Sequence, residues 1–216
     1  MKLYRMDYSP YARKVQMVLD LLGYSYEAID ITYGSREEMA KQTGGYVQVP
    51  VLVDDDGAVT VESRVICEKL LQRDGGESLA PSPWQGPIWA YADWCDNVLE
   101  DVMFRMAAPL QKRRFGSQWE SALYVFIKER KFGAGCVDEW ERQTPALLAK
   151  ARALLAPTKE TLSRQPFLFG TAPTLADAAL YGLFAMFETV DVKLPAQLGE
   201  EMPDFQRRVE AARPQR

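Results

Sequence analysis

Residues 2–31 read KLYRMDYSPYARKVQMVLDLLGYSYEAIDI, and the succession of patterns in this stretch decides what the first part of the chain can be. KLYRM is a short apolar run of strand character. From Pro10 the period changes: Val15, Val18, Leu19 and Leu22 fall at i, i+3, i+4 and i+7, one face of a helix, and Gly23 stops it. YEAIDI then returns to strand character. Strand, helix and strand at these lengths make a βαβ unit, whose two strands run parallel. Ser9 and Pro10 open the helix between them. A serine at the N-cap and a proline at the first helical position are favoured for capping alone, so a capping role and a chemical role for Ser9 both stand at this point.

Downstream, SREEMAKQTGG (35–45) is charged and reads as a weak helix or an irregular loop. VPVLVDDDGAVTVE (49–62) reads as two strands around an Asp-Asp-Asp-Gly turn, a β-hairpin. SRVICEKLLQRDGG (63–76) closes the unit as a helix. The expected first domain, residues 1–76, is therefore βαβ, loop, ββα: a mixed sheet with helices on its faces. Gly, Pro and Ser accumulate in GGESLAPSPWQGP without periodicity, so residues 77–87 read as a linker.

From residue 88 no strand pattern is convincing, and 88–216 reads as an all-α domain. Ile88, Tyr91, Cys95, Val98, Val102 and Met106 mark one face of a long helix, and further helical patterns cover roughly 117–131, 138–164, 174–190 and 201–212. TLADAALYGLFAMFETV (174–190) is apolar on nearly every face, as the central helix of a bundle should be. Thr174 and Asp177 have the spacing of a capping box at its start.

Composition narrows the chemistry. The 216 residues are 47% hydrophobic and 26% charged, with a net charge of -4, which disfavours nucleic acid and anionic lipid as partners. The longest apolar run, Ala178 to Phe187, is too short to span a bilayer, and MKLYRMDYSPYARK has no basic-then-apolar leader pattern; a cytoplasmic location is expected. Cys67, Cys95 and Cys136 form no CxxC pair and are expected to be buried apolar groups. There is no histidine at all, which excludes a Ser-His-Asp triad, a Cys-His pair and His-bound zinc. No metal is expected. Hydroxyls, carboxylates, amides and guanidinium groups must carry whatever chemistry there is.

Four segments in order, SPYARKV (9–15), VPVL (49–52), ESR (62–64) and TLAD (174–177), resemble the soluble glutathione transferase family across essentially the whole chain. The resemblance implies a thioredoxin-like N-terminal domain, an all-helical C-terminal domain, glutathione as co-substrate and a homodimer. It implies a cis peptide before Pro50, with the backbone of Val49 facing the cysteinyl part of glutathione and Glu62 and Ser63 holding its γ-glutamyl end. The glutathione contacts so implied are Ser9, Tyr11, Gln48, Val49, Pro50, Glu62 and Ser63. Tau-like and omega-like members carry the active Ser or Cys just before the proline, which matches Ser9; theta-like and delta-like members carry it one place earlier, which matches Tyr8, the second candidate, with Tyr11 and Tyr4 behind it. A serine cannot form a mixed disulfide, so conjugation is favoured over glutaredoxin-like reduction.

Two departures from the family's pattern stand out: TGGYVQ occupies the place of an Asn-Pro before the cis-proline, and Gln48 that of a frequent lysine. Arg13, Arg36 and Lys41 are the cations available for the glycine carboxylate. The electrophile is expected between the domains, with Tyr11, Met103, Phe104 and Met106 as candidate walls. The alternatives are a transferase-fold binding or regulatory protein without catalysis, and a glutathione-dependent lyase or dehalogenase.

Overall fold

The structure, a computed structural model, describes residues 1–214. A four-stranded sheet has the order β2-β1-β3-β4, formed by β1 (Lys2–Arg5), β2 (Glu27–Asp30), β3 (Val51–Val53) and β4 (Val59–Val61). β1 and β2 are parallel, with Leu3 opposite Ala28, as the βαβ pattern requires; β3 is antiparallel to both β1 and β4, with Leu52 between Leu3 and Thr60. Helix α1 (Pro10–Leu21) crosses between the parallel strands and ends before Gly23, whose φ of 72° is one that glycine alone adopts without strain. α2 (Glu37–Gln42) is a short helix in the charged loop, and α3 (Ser63–Leu71) follows the hairpin. Leu3, Val15, Val18, Leu19, Leu52, Ile66 and Leu70 are buried between sheet and helices.

Residues 77–87 contain most of a 3₁₀ turn, Gly76–Leu79, and the start of the next helix. The long helix expected from residue 88 is interrupted. α4 (Gln85–Trp94) runs into a π turn at Cys95–Leu99, and α5 (Glu100–Arg114) follows. A π turn widens the helix and displaces the register, so Leu99 enters the core while Val98 is 42% exposed. α6 (Gln118–Phe132) agrees with its pattern. The pattern over 138–164 corresponds to two helices, α7 (Cys136–Arg142) and α8 (Thr144–Leu162), with Pro145 in the first turn of α8, where a proline starts a helix readily. α9 (Leu175–Val190), α10 (Leu194–Leu198) and α11 (Met202–Ala211) complete the chain; the short α10 has too few turns to announce itself by periodicity.

α9 is the axis of the helical domain, buried from Leu175 to Phe187. Asp177 at its first turn is fully buried and accepts three hydrogen bonds at 2.8 Å, from the Leu168 and Thr174 amides and from the Thr174 hydroxyl. The first domain sits directly on this axis. α1 packs along α9, the most extensive contact between any two helices here, and Gly182 lies at the crossing. Beside it, the buried Lys14 ammonium pairs with Asp96 in the π turn, and the Tyr11 hydroxyl donates to the Asp96 carbonyl at 3.1 Å.

A Cβ on Gly182 would lie 2.5 Å from the Pro10 carbonyl oxygen and 2.9 Å from the Lys14 amide nitrogen, both backbone atoms that cannot swing aside. Gly182→Ala should therefore push α1 off α9 and destabilise the protein by about 1–3 kcal/mol, read as a lowered urea midpoint. A midpoint equal to wild type would show that the crossing has slack.

Candidate functional site

The turn from β1 into α1 is closed by the Ser9 amide donating to the Met6 carbonyl at 2.9 Å. Ser9 is the N-cap of α1, with extended φ and ψ of -86° and 113°, and its Oγ accepts from the Ala12 amide at 3.3 Å. Capping occupies a lone pair of that oxygen; its hydrogen is left to donate elsewhere. The Val49–Pro50 peptide is cis, as expected, and so is Ser82–Pro83, for which no sequence signal was read. Glu62 has φ 68° and ψ 120°, the only non-glycine in the left-handed region among the described residues. Such a backbone costs on the order of 1–3 kcal/mol and persists where the surroundings impose it. Here the Glu62 carboxylate accepts from the Tyr46 hydroxyl at 2.8 Å, and its carbonyl accepts from the Ile66 amide at 2.9 Å in the first turn of α3. Glu62 is thus the N-cap of α3, and Ser63, buried, is its first helical residue.

Ser9 opens into a cavity of about 350 Å³ between the two domains. From the first domain its walls are Met6, Tyr8, Ser9, Pro10, Tyr11, Tyr33, Arg36, Gln48 and Val49; from the second, α5, α6 and the end of α9 supply Glu100, Phe104, Gln111, Tyr124, Lys128, Lys131 and Met186 among others. Of the residues singled out from the sequence, Ser9, Tyr8, Tyr11, Gln48, Val49, Arg36 and Phe104 meet in this one space. Pro50, Glu62 and Ser63 do not form its walls, nor do Arg13 and Lys41. Met103 and Met106 are buried core residues rather than walls. A larger, shallower hollow of about 550 Å³ lies at the junction of α5 and α6 around Phe115 and Phe126, and none of the candidate residues lines it.

The tyrosines around Ser9 are engaged. The Tyr8 hydroxyl points to the Met6 sulfur at 3.1 Å, and its ring stands edge-on to Phe115 and Tyr124 at 6.0 and 6.4 Å between centroids. Burial, then the neighbouring Tyr33, raises its phenol far above the ordinary value. Tyr11 donates a hydrogen bond to the Asp96 carbonyl, and burial together with Glu100 and Asp96 holds it protonated. Both are walls of the cavity.

Sequence reasoning missed the charged groups from the second domain. Glu100 is pushed up to about 7 and Lys128 pulled down to about 8, each chiefly by burial. The Lys128 ammonium lies over the rings of Phe104 and Tyr124, 4.6 and 4.9 Å from their centroids. Arg36 stacks on Tyr33 at 4.4 Å and donates to the Val47 carbonyl at 2.9 Å. A signal existed for the lysines: Tyr124, Lys128 and Lys131 fall at i, i+4 and i+7, so the face that buries Tyr124 carries both.

Raised to about 7, Glu100 binds its proton more tightly in the fold than in the unfolded chain, so its contribution to stability declines as pH rises from about 4.5 through 7. Glu100→Gln should accordingly be more stable than wild type at pH 7.5 by roughly 1–3 kcal/mol, the gain shrinking toward zero near pH 4.5. Urea midpoints at a series of pH values test this; a gain independent of pH would mean that Glu100 does not titrate in the cavity.

Comparison with known proteins gives the following. Residues 3–78 match the family described as glutathione S-transferase, N-terminal domain, and residues 120–211 match glutathione S-transferase, C-terminal domain. A glutathione S-transferase of Arabidopsis thaliana is 28% identical over 181 residues, 82% of this chain and 76% of that one. Among solved structures, glutathione transferase GSTFuA2 of Phanerochaete chrysosporium superposes with a TM-score of 0.75 at 17% identity, covering 100% of this chain and 98% of that one. A glutathione S-transferase of Ceriporiopsis subvermispora, solved in complex with glutathione, superposes with a TM-score of 0.75 at 19% identity, covering 98% and 97%. At these identities the superpositions speak for the fold. No helix among the described residues is long and apolar enough to cross a membrane.

Proposed function

The chain belongs to the glutathione S-transferase family, and on that premise we propose that it is a serine-type transferase that binds glutathione, holds its thiol as thiolate beside Ser9 and directs it at an electrophilic small molecule. The observation that carries this reading is the position of Ser9: an N-cap hydroxyl with a hydrogen still to donate, in the wall of an interdomain cavity that Val49 also lines. Glutathione in the solved Ceriporiopsis relative supports the same ligand here.

The magnitudes are adequate without a general base. A free thiol near pKa 8.5 is about 3% ionised at pH 7, and lowering it by about two units requires roughly 2.7 kcal/mol. One hydrogen bond to a charged group contributes about 1.5–3 kcal/mol, and the N-terminus of α1 about 0.3–1 more. By the family resemblance the Val49 backbone takes the cysteinyl part, and Glu62 and Ser63, outside the walls of this cavity, take the γ-glutamyl end. Arg36, bonded beside Val47, is the cation for the glycine carboxylate. Tyr8, with its hydroxyl turned to Met6, is a wall and not the donor.

Titrating the thiolate absorbance of bound glutathione tests this. Wild type should show a bound thiol roughly two units below its free value, and Ser9→Ala should restore at least about one unit and lower kcat/KM about 10- to 100-fold. Tyr8→Phe should keep the wild-type titration. Absence of glutathione binding would sink the reading, and an unchanged titration in Ser9→Ala would move the role to the backbone.

We also read the protein as a cytoplasmic homodimer. Val65 on α3 and Val98 in the π turn are apolar and 40% and 42% exposed; Arg64 ties α3 to α4, the helix that runs into the π turn, by pairing with Asp93 and stacking on Trp89. Val65→Asp should convert a dimer to a monomer in sedimentation velocity; a monomeric wild type would refute the assignment.

A further inference from the structure

The protein is acidic, yet the cavity at Ser9 is lined by three cations, Arg36, Lys128 and Lys131, against a single carboxylate, Glu100. A basic pocket in an acidic chain focuses a local positive potential on whatever enters it. Arg36 stands on the Val49 side, held to the Val47 carbonyl. Lys128 stands on the opposite wall, on α6, its ammonium between the faces of Phe104 and Tyr124. No carboxylate among the described residues is within ion-pair distance of it; burial lowers its proton affinity, and the attraction of Glu100 across the cavity offsets that only in part. Aromatic faces compensate it only in part.

A second observation comes from the same cavity. Gln111, a wall residue on α5, is 3% exposed, and its amide oxygen is buried with no partner among the described residues. Buried polar atoms of this kind are nearly always satisfied, so an orphan acceptor in a cavity wall calls for a donor from a ligand or a bound water. The Lys128 ammonium, held by two aromatic faces outside any ion pair, thus lines a space of small-molecule size, while the Gln111 oxygen, itself an acceptor, takes a donor and not an anion.

We propose that the second-substrate site selects electrophiles that join an aromatic body to an anionic group, a carboxylate above all, with Lys128 as the anion anchor and Phe104 and Tyr124 as the flanks of the ring. This rests on reading the cavity as the electrophile site of a transferase. The choice of a substrate anion over a carboxylate of glutathione follows from placement: Lys128 belongs to the helical domain, whereas the Val49 backbone and Arg36 belong to the first.

The test uses two electrophiles with one reactive centre, 4-chloro-3,5-dinitrobenzoate and its methyl ester. In each the glutathione thiolate attacks the chlorine-bearing carbon, a C–S bond forms, and the C–Cl bond breaks with chloride carrying away the electron pair. Each kcat/KM is divided by the uncatalysed rate constant of the same compound. Wild type should favour the carboxylate at least about tenfold, Lys128→Gln should bring the ratio near one through the KM of the carboxylate, and Lys128→Arg should keep the preference. In parallel, calorimetry measures binding of 3,5-dinitrobenzoate and 3,5-dinitrobenzamide with the glutathione site filled by S-methylglutathione. Equal or absent binding of the two in wild type overturns the proposal, as does a preference that survives Lys128→Gln, or a Lys128→Gln effect confined to the KM of glutathione. Carboxylate-selective binding that needs Lys128, found with no turnover of either electrophile, would sustain the anion anchor and defeat the catalytic reading alone.

Discussion

The placement of the interdomain cavity depends on one close crossing, that of α1 over α9 at Gly182. α1 begins with Ser9, and α9 is the buried axis of the helical domain, so the depth of this crossing fixes how far the cap hydroxyl stands from α5 and α6. A glycine lets two backbones approach as no other residue could. Around it the contact is polar and specific: Lys14 and Tyr11, three residues apart on α1, both reach Asp96 in the π turn. A buried ion pair is costly to desolvate and adds little net stability, but removing one partner is expensive, so the pair holds the helices to one register.

The same junction gives the π turn a purpose. By widening the helix at Cys95–Leu99 the chain brings Asp96 to α1 and starts α5 in a new register, from which Glu100 and Phe104 face the cavity. Tyr11 is committed to Asp96 and Tyr8 to Met6, so the phenols nearest the helix start are used for structure. The serine is the hydroxyl whose capping role leaves a proton to give. In the proposed reading cap and donor are one geometry: the oxygen accepts from the Ala12 amide, and the hydrogen is the one offered to a thiolate.

Much of the architecture was legible in the sequence because it is written in local periods. The apolar spacing of Val15, Val18 and Leu19, the Asp-rich turn between Val53 and Val59, and the unbroken apolarity after Thr174 each name an element without reference to the rest of the chain. The π turn was not legible, since Cys95, Val98 and Val102 suit an ordinary helix as well, and only the exposure of Val98 betrays the change. The division of α7 from α8 was hidden for a similar reason: Pro145 suits a first turn, but apolar spacing continues across the break. The candidate site was legible on its first-domain side, where Ser9, Gln48 and Val49 are close to the turns that position them. Its far wall was not, because Glu100, Gln111 and Lys128 acquire meaning only from the packing of two helices against a different domain.

The Lys14–Asp96 pair has a consequence for the modularity of the chain. Lys14 is 3% exposed only because the helical domain covers it; cut away from residues 85–214, the first domain would present to water the side of α1 that now meets α9. The helical portion would in turn be left with the bared flank of its central helix. The two halves are distinct in architecture but not separable as building blocks: neither is a free-standing part that could be exchanged among unrelated proteins without carrying its complement along, and the boundary drawn by secondary structure is not a boundary of cooperative folding.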